Sequence, residues 1–262
     1  DSGDGLSRAT AKKYFRSAVA LATPLGKAIY IKTGTYCENE TAGAGCPSPA
    51  ALGGTINLEN GVSVYGGYDS NWYRPNVANN RATINTGRQN TTALTTQANT
   101  GSSTILRIDD GVCGVSPLLL PGRFLRWMGD DQDREIMSCN GAPGGYDEIT
   151  VSPALPSAGS NVGGISVHVG HSIGVYVRNV TTATSIEGLI IDTRRATPPA
   201  TTGLHTIGLM ARGGNNTLTL YKNSITARGG GAGAGPRPGG IYGVYASGGT
   251  LSLTMTTNTI TA

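Results

Sequence analysis

The last third of the chain is built from one unit written three times. "SIGVYVRN" begins at Ser172, "TIGLMARG" at Thr206 and "YGVYASGG" at Tyr242, and the aligned glycines, Gly174, Gly208 and Gly243, are spaced by 34 and 35 residues. A second register agrees. "GGNNTLTLYKNSITA" at 213–227 matches "GGTLSLTMTTNTITA" at 248–262, which places Asn223 and Asn258 35 residues apart. One unit earlier stands "TSIEGLIIDT" at 184–193, with Ile186 equivalent to Leu220 and Ile191 to Ile225. A unit this short cannot bury its own apolar face, so copies must stack. Each one reads as strand, corner, strand and Gly/Pro loop without a helical period, and the stack is therefore a β-solenoid.

The two-residue period of a strand assigns the faces. Ile173, Val175 and Val177 share one face, followed one unit on by Ile207, Leu209 and Ala211, and then by Tyr242, Val244 and Ala246. The opposite face carries Tyr176, Met210 and Tyr245. Asn223 over Asn258 is expected to form a side-chain amide ladder along the stack.

Composition supports an all-β chain. There are 40 Gly and 13 Pro among 262 residues, which fits many tight corners. Disorder is excluded because 38% of the residues are hydrophobic, set in alternating runs, and only 14% are charged. The net charge of +4, with no basic block and no aromatic-basic interleaving, argues against nucleic acid as a partner. No apolar run approaches the roughly 18 residues of a membrane span. With no initiator Met and no signal peptide, Asp1 reads as a processed or trimmed start. The four cysteines fall as Cys37 with Cys46 and Cys113 with Cys139, at spacings unlike metal or redox motifs. They are expected to form two disulfides and to place the protein outside the cell or at its surface.

Several stretches resemble secreted bacterial proteins of the right-handed parallel β-helix (pectin-lyase-like) superfamily. "DSGDGLSRATAKKYFRSAVALA" is similar to their acidic-Gly turn and amphipathic capping helix, here with Phe15, Ala18, Val19 and Ala22 on one face. "KAIYIKTGTYCEN" at 27–39 is similar to their first coil. "GVSVYGGYDSNWYRP" at 61–75, "STILRIDDGV" and the "NSITA" and "NTITA" coils also resemble the family. The resemblance implies one domain over 1–262: a cap at 1–27, first coils at 28–115, a side insertion at 116–162, and regular coils at 163–262. It is weak for function, since this fold hosts lyases, hydrolases, adhesins and tailspikes.

Gly170-His171-Ser172-Ile173-Gly174 looks like the Gly-His-Gly element of pectin-degrading hydrolases, with Asp109 and Asp110 of "RIDDG" as companion acids. Pectin-type hydrolysis needs carboxylates on both sides of the bond. Here Asp110 and His171 are 61 residues apart, and the position one unit on is Leu204-His205, so a histidine at a strand entrance is the favoured reading. No cofactor is implied. The oxygens of Asp130, Asp131 and Asp133 in "GDDQDRE" suffice for Ca²⁺, against the plainer reading of a solvated acidic loop.

The disulfide-tied insertion carries Leu118, Leu119, Leu120, Phe124, Trp127 and Met128, which must pack on the solenoid flank or on a partner. Phe124, Trp127 and Met128 are the expected lateral interface. The last unit stops at Ala262, an expected open edge for self-association. The favoured function is a non-enzymatic, structural or adhesive surface protein that assembles with itself as a filament or surface-layer subunit. The alternative is a glycan-binding protein or carbohydrate-active enzyme, lyase or hydrolase, of the same fold. For that reading Tyr176 and Tyr245 are the sugar-stacking candidates and cell-surface polysaccharide the partner.

Overall fold

The computed structural model describes residues 4–12, 14–37, 56–58, 60–86, 92–97, 102–109, 111–113, 119, 124–127, 132–142, 144–156, 166–169, 172–194, 205–212, 214–228, 240–247 and 249–262. They form one α-helix, three parallel sheets and one closed antiparallel sheet. The chain is all-β in class, with the helix at its start.

Each pass of the chain gives one strand to each parallel sheet in turn. The first sheet stacks Ile29–Lys32, Val64–Tyr68, Thr184–Glu187, Asn215–Tyr221 and Thr250–Thr256. The second stacks Gly34–Cys37, Ala82–Thr86, Leu189–Arg194, Ser224–Arg228 and Thr259–Thr261. The third stacks Ile56–Leu58, Ser172–Val177, Thr206–Arg212 and Ile241–Ser247. The register is that of the repeat: Ile186 lies on Leu220, Ile191 on Ile225, and Val175 on Leu209 and then Val244. Aliphatic side chains from all three sheets meet inside. Ile84, Val64, Val177, Leu209, Ile191 and Leu220 are each at most 1% exposed, and toward the last pass Val244, Leu251 and Leu253 are only partly buried.

The helix Phe15–Leu25 covers one end of this core with Phe15, Val19 and Ala22, as the 3.6-residue spacing requires. It stops at Gly26, whose left-handed φ of 57° lets its own N–H and that of Lys27 reach the carbonyls of Thr23 and Ala22.

Two details depart from strict strand periodicity. Ile173 does not share a face with Val175. It lies outside with Tyr176, Ile207 and Met210, while Val175 and Leu209 point into the core. Gly174 makes the change of phase, because a side chain there would strike the hydroxyls of Thr193 and Thr86 inside the core. The corner between the first and second sheets is left-handed in three successive passes, at Gly188 (φ 64°), Lys222 (φ 53°) and Thr257 (φ 55°). A β-branched residue is strained there. Thr257→Gly is expected to raise stability by up to about 1 kcal/mol in urea unfolding, and a loss of stability would refute the strain.

The stack is interrupted in sequence but not in space. Ala82 to Thr86 pair with Leu189 to Thr193, and Ile56 to Leu58 pair with Val175 to Val177. Between these partners the chain leaves to form a six-stranded antiparallel barrel: Tyr146–Ser152, Ile105–Asp109, Thr92–Gln97, Ser166–Val169, Phe124–Trp127 and Gln132–Ala142, closing back on the first. The antiparallel segment is thus wider than the 116–162 read from the break in the repeat. "STILRIDDGV" is a barrel strand, paired antiparallel with Tyr146 to Thr150, and not a coil of the stack. Its alternation is the same in either setting, so periodicity alone could not tell them apart.

The barrel has its own core of Leu106, Ile108, Leu119, Leu125, Trp127, Ile136, Ile149 and Val167. Cys113 and Cys139 are disulfide-bonded across it, with Cα atoms 5.4 Å apart. Beside the bridge, Asp147 accepts hydrogen bonds from the N–H groups of Val112 and Cys113. Cys37 ends a strand of the second sheet, while Cys46, and so its pairing, lies outside the described residues.

The barrel docks on the outer face of the third sheet. Phe124 meets the Tyr176 ring edge to face at 5.0 Å, and Arg212 lies 5.2 Å over Phe124 while donating to the Ser152 carbonyl at 3.0 Å. Glu135, 6% exposed, accepts from the Tyr176 hydroxyl at 3.1 Å and pairs with Arg178 at 2.9 Å. Burial first, and then the Glu135 charge, push the Tyr176 phenol well above its ordinary value of 10.0. A folded-state value raised above the unfolded one gives stability that is complete below pH 10 and lost as pH rises beyond it. Tyr176→Phe is therefore expected to flatten the alkaline limb of stability and to remove one late-ionising phenol from the near-UV titration. Identical alkaline limbs in the two proteins would contradict the buried Tyr176–Glu135 contact.

Candidate functional site

Of the residues singled out for acid or metal chemistry, Asp109 and Asp133 fall among the described residues. Asp109 is exposed at the end of a barrel strand, opposite Tyr146. Asp110 and His171 lie outside the described residues. The histidine one unit on, His205, is 7% exposed, accepts from the Gly240 N–H through Nδ1 at 2.8 Å and packs edge-on against Tyr242. That is a structural histidine at a strand entrance. Asp130, Asp131 and Met128 lie outside the described residues, and Asp133 belongs to the strand Gln132–Ala142 instead of a loop. Among the described residues no group of three His, Cys, Asp or Glu side chains is placed to hold a metal ion.

The expected surface residues are also relocated. Trp127 and Phe124 are each 3% exposed, one in the barrel core and the other pressed on the third sheet. Both side chains are covered by the protein itself and do not form an exposed lateral surface. Tyr176 is 4% exposed beneath Phe124 and is not open to a sugar. Tyr245 is half-buried against Tyr242, ring centroids 5.0 Å apart. Ala262 is exposed after the outermost strand of the second sheet. No described helix is long and apolar enough to cross a membrane.

A different cluster stands on the outer face of the first sheet, with Tyr30 exposed and Tyr65, Tyr68 and Trp72 half-buried. In-register stacking puts Tyr30 beside Tyr65, Tyr65 beside Glu187, and Glu187 beside Tyr221. Tyr30, 57% exposed, stacks on Tyr65 at 5.8 Å with 28° between the rings, and meets Tyr68 edge to face at 5.9 Å. Trp72 continues the row, 6.2 Å from Tyr68. Arg74 lies 5.8 Å over Tyr65 and 5.6 Å over Tyr68, and pairs with Glu187 at 2.7 Å. Burial holds the Tyr68 phenol above its ordinary range, with Arg74 pulling the other way.

The stretch "YGGYDSNWYRP" builds this face locally. Gly66 and Gly67 let the strand approach Gly188 and Val77, where a Cβ would collide. Asp69 then folds the chain back, its carboxylate accepting from the N–H groups of Asn71 at 2.8 Å and Tyr73 at 2.9 Å. That turn presents Trp72, at φ 66°, beside Tyr68. Arg74 pins the returning loop through its Nε to the Gly66 carbonyl at 2.9 Å. Among the described residues, Glu187 beside the row is paired with a guanidinium and Asp69 is bonded to the backbone. The face offers flat rings with hydrogen-bonding rims.

No protein-family model matches the sequence, and no curated protein matches it. Among solved structures, the chain is similar to the Gp54 tailspike of Acinetobacter baumannii bacteriophage AP22 in complex with A. baumannii capsular saccharide. The identity is 12% and the TM-score 0.24; the match covers 90% of this chain and 44% of the tailspike chain, so this chain spans less than half of the tailspike's length.

Proposed function

We propose that the chain is a right-handed parallel β-helix acting outside the cell as a glycan-binding surface protein, with the Tyr30–Tyr65–Tyr68–Trp72 row as the binding face. The observation that carries this reading is the aromatic row itself, with Tyr30 exposed and Tyr65, Tyr68 and Trp72 half-buried, braced by Arg74 and Glu187 on a parallel sheet. Sugar rings have apolar faces and hydroxyl edges, and aromatic platforms flanked by a few fixed polar groups answer both. A rigid scaffold keeps the ordering cost of binding low. The described strands of the inserted barrel dock on another sheet, through Phe124, Glu135 and Ser152.

A glycan array tests the proposal. The protein is expected to select a defined set of saccharides, and Tyr65→Ala and Trp72→Ala are each expected to weaken that binding by about tenfold or more. Equal binding by both variants would remove the site. Self-assembly is the second reading, favoured by the exposure of Ile241, Met255 and Ile260 along the outermost strands of the three sheets. A monomer by sedimentation at high concentration would set it aside.

A further inference from the structure

The N-terminal segment and the helix Phe15–Leu25 do not close fully on the first pass of the stack. Between them lies a cleft of about 820 Å³, within the range of roughly 300–1,000 Å³ typical of small-molecule sites. Its floor is apolar, made by Phe15, Ala22, Ile29 and Ile31 of the main core. At its mouth stand Leu6, Leu25 and Tyr30, respectively 69%, 48% and 57% exposed. Large apolar side chains left in water at one place mark a contact surface more strongly than the same residues scattered. The rim carries Arg8, Lys12, Lys27 and Lys32, and no acidic residue lines the cleft among the described residues. Asp4, which interacts with Lys12, is held by the Thr10 hydroxyl and the Leu6 N–H.

The floor and the rim ask for different halves of one ligand. A floor of aliphatic and phenyl groups gives sugar hydroxyls no partner, and burying them there is costly. A rim of four cations with no carboxylate lining the cleft among the described residues favours an anion. We propose that this cleft binds an amphiphilic anion, an alkyl or acyl chain on the apolar floor with its carboxylate or phosphate head among the rim lysines and Arg8. The cleft shares Tyr30, Tyr68 and Trp72 with the aromatic row, while its apolar floor and cationic rim lie beyond that row.

The two tryptophans make the test direct. Trp72 lines the cleft, whereas Trp127 is enclosed in the barrel. The full chain is titrated with 12-bromododecanoate below its micelle concentration, the bromine quenching an indole on contact. Saturable quenching is expected, lost in Trp72→Phe. The uncharged 12-bromododecanol is expected to bind about tenfold more weakly, the loss that matches one charge-assisted hydrogen bond. Lys12→Glu or Lys32→Glu is expected to remove that preference while leaving the alcohol unchanged, and each methylene taken from the chain is expected to cost about fourfold. Competition by unbrominated dodecanoate and by dodecyl phosphate separates the two head groups. Tyr65→Ala, outside the cleft, is expected to leave the quenching intact, so failure of this site and failure of the glycan face are read separately. No saturable quenching, equal affinity for acid and alcohol, or indifference to both lysine variants would overturn the proposal.

Discussion

Gly174→Val is expected to destabilise the protein by about 3 kcal/mol or more, enough to deplete the folded state at room temperature. A Cβ at Gly174 would meet the Thr193 hydroxyl, the carbonyl oxygen of Gly208 and, at 2.9 Å, the Thr86 hydroxyl. Both threonines are fully buried and bonded to each other at 3.0 Å, so none of these atoms can retreat cheaply. One pass on, a Cβ at Gly208 would lie 2.5 Å from Ile225 Cγ2 and 2.7 Å from the Gly243 carbonyl, again inside the core. At Gly243 the obstacle is Ile260, 39% exposed on the outermost strand and able to move aside. The three repeat glycines should therefore grade in urea unfolding, with valine costly at Gly174 and Gly208 and mild at Gly243. Equal costs at all three would mean that the glycines serve the loops and not the close approach of one sheet to another.

Asn223→Ala is expected to cost about 2–4 kcal/mol, because two groups lose a partner within the stack. Asn223 is fully buried; its Oδ1 accepts from the Leu189 N–H at 3.0 Å and its Nδ2 donates to the Ile186 carbonyl at 2.7 Å. The same bonds recur one pass later. Asn258 accepts from the Asn223 N–H at 2.9 Å and donates to the Leu220 carbonyl at 2.8 Å, and the two amides bond to each other at 3.1 Å. Asn258→Ala, at the exposed end of the ladder, should cost less than half as much. Asn223→Asp separates the terms, since a carboxylate still accepts from Leu189 but cannot donate to Ile186. Thermal unfolding with Asn223→Ala as stable as Asn258→Ala would show that the ladder contributes nothing particular to the buried pass.

The repeat made the stacking order, the register and the Asn223–Asn258 ladder legible, because each is a spacing of 34 or 35 residues. The helix was legible from Phe15, Val19 and Ala22 on one face, and the Cys113–Cys139 bridge from its proximity in the chain. The barrel was not. Its strands alternate as the stack's strands do, and only long-range antiparallel pairing, such as Val167 with both Leu94 and Trp127, distinguishes them. The aromatic row escaped for a related reason. Tyr30, Tyr65 and Glu187 come from three passes, with the whole barrel between Tyr65 and Glu187, and become neighbours only through strand register. "YGGYDSNWYRP" carried the available signal, since its Gly-Gly, Asx turn and Arg all act on one strand. The tyrosines of the visible repeat drew attention instead, and Tyr176 is covered by an element that the repeat does not contain.

The indole N–H signals of the uniformly ¹⁵N-labelled protein test the glycan face most directly. The chain holds 2 tryptophans, each assignable by its Phe variant. On addition of a saccharide selected on the array, the Trp72 signal is expected to shift saturably, in step with the Tyr65-dependent affinity, while the Trp127 signal stays in place. Saccharide binding that leaves Trp72 unmoved, or that shifts Trp127 instead, would contradict the assignment of the Tyr30–Trp72 row as the binding face.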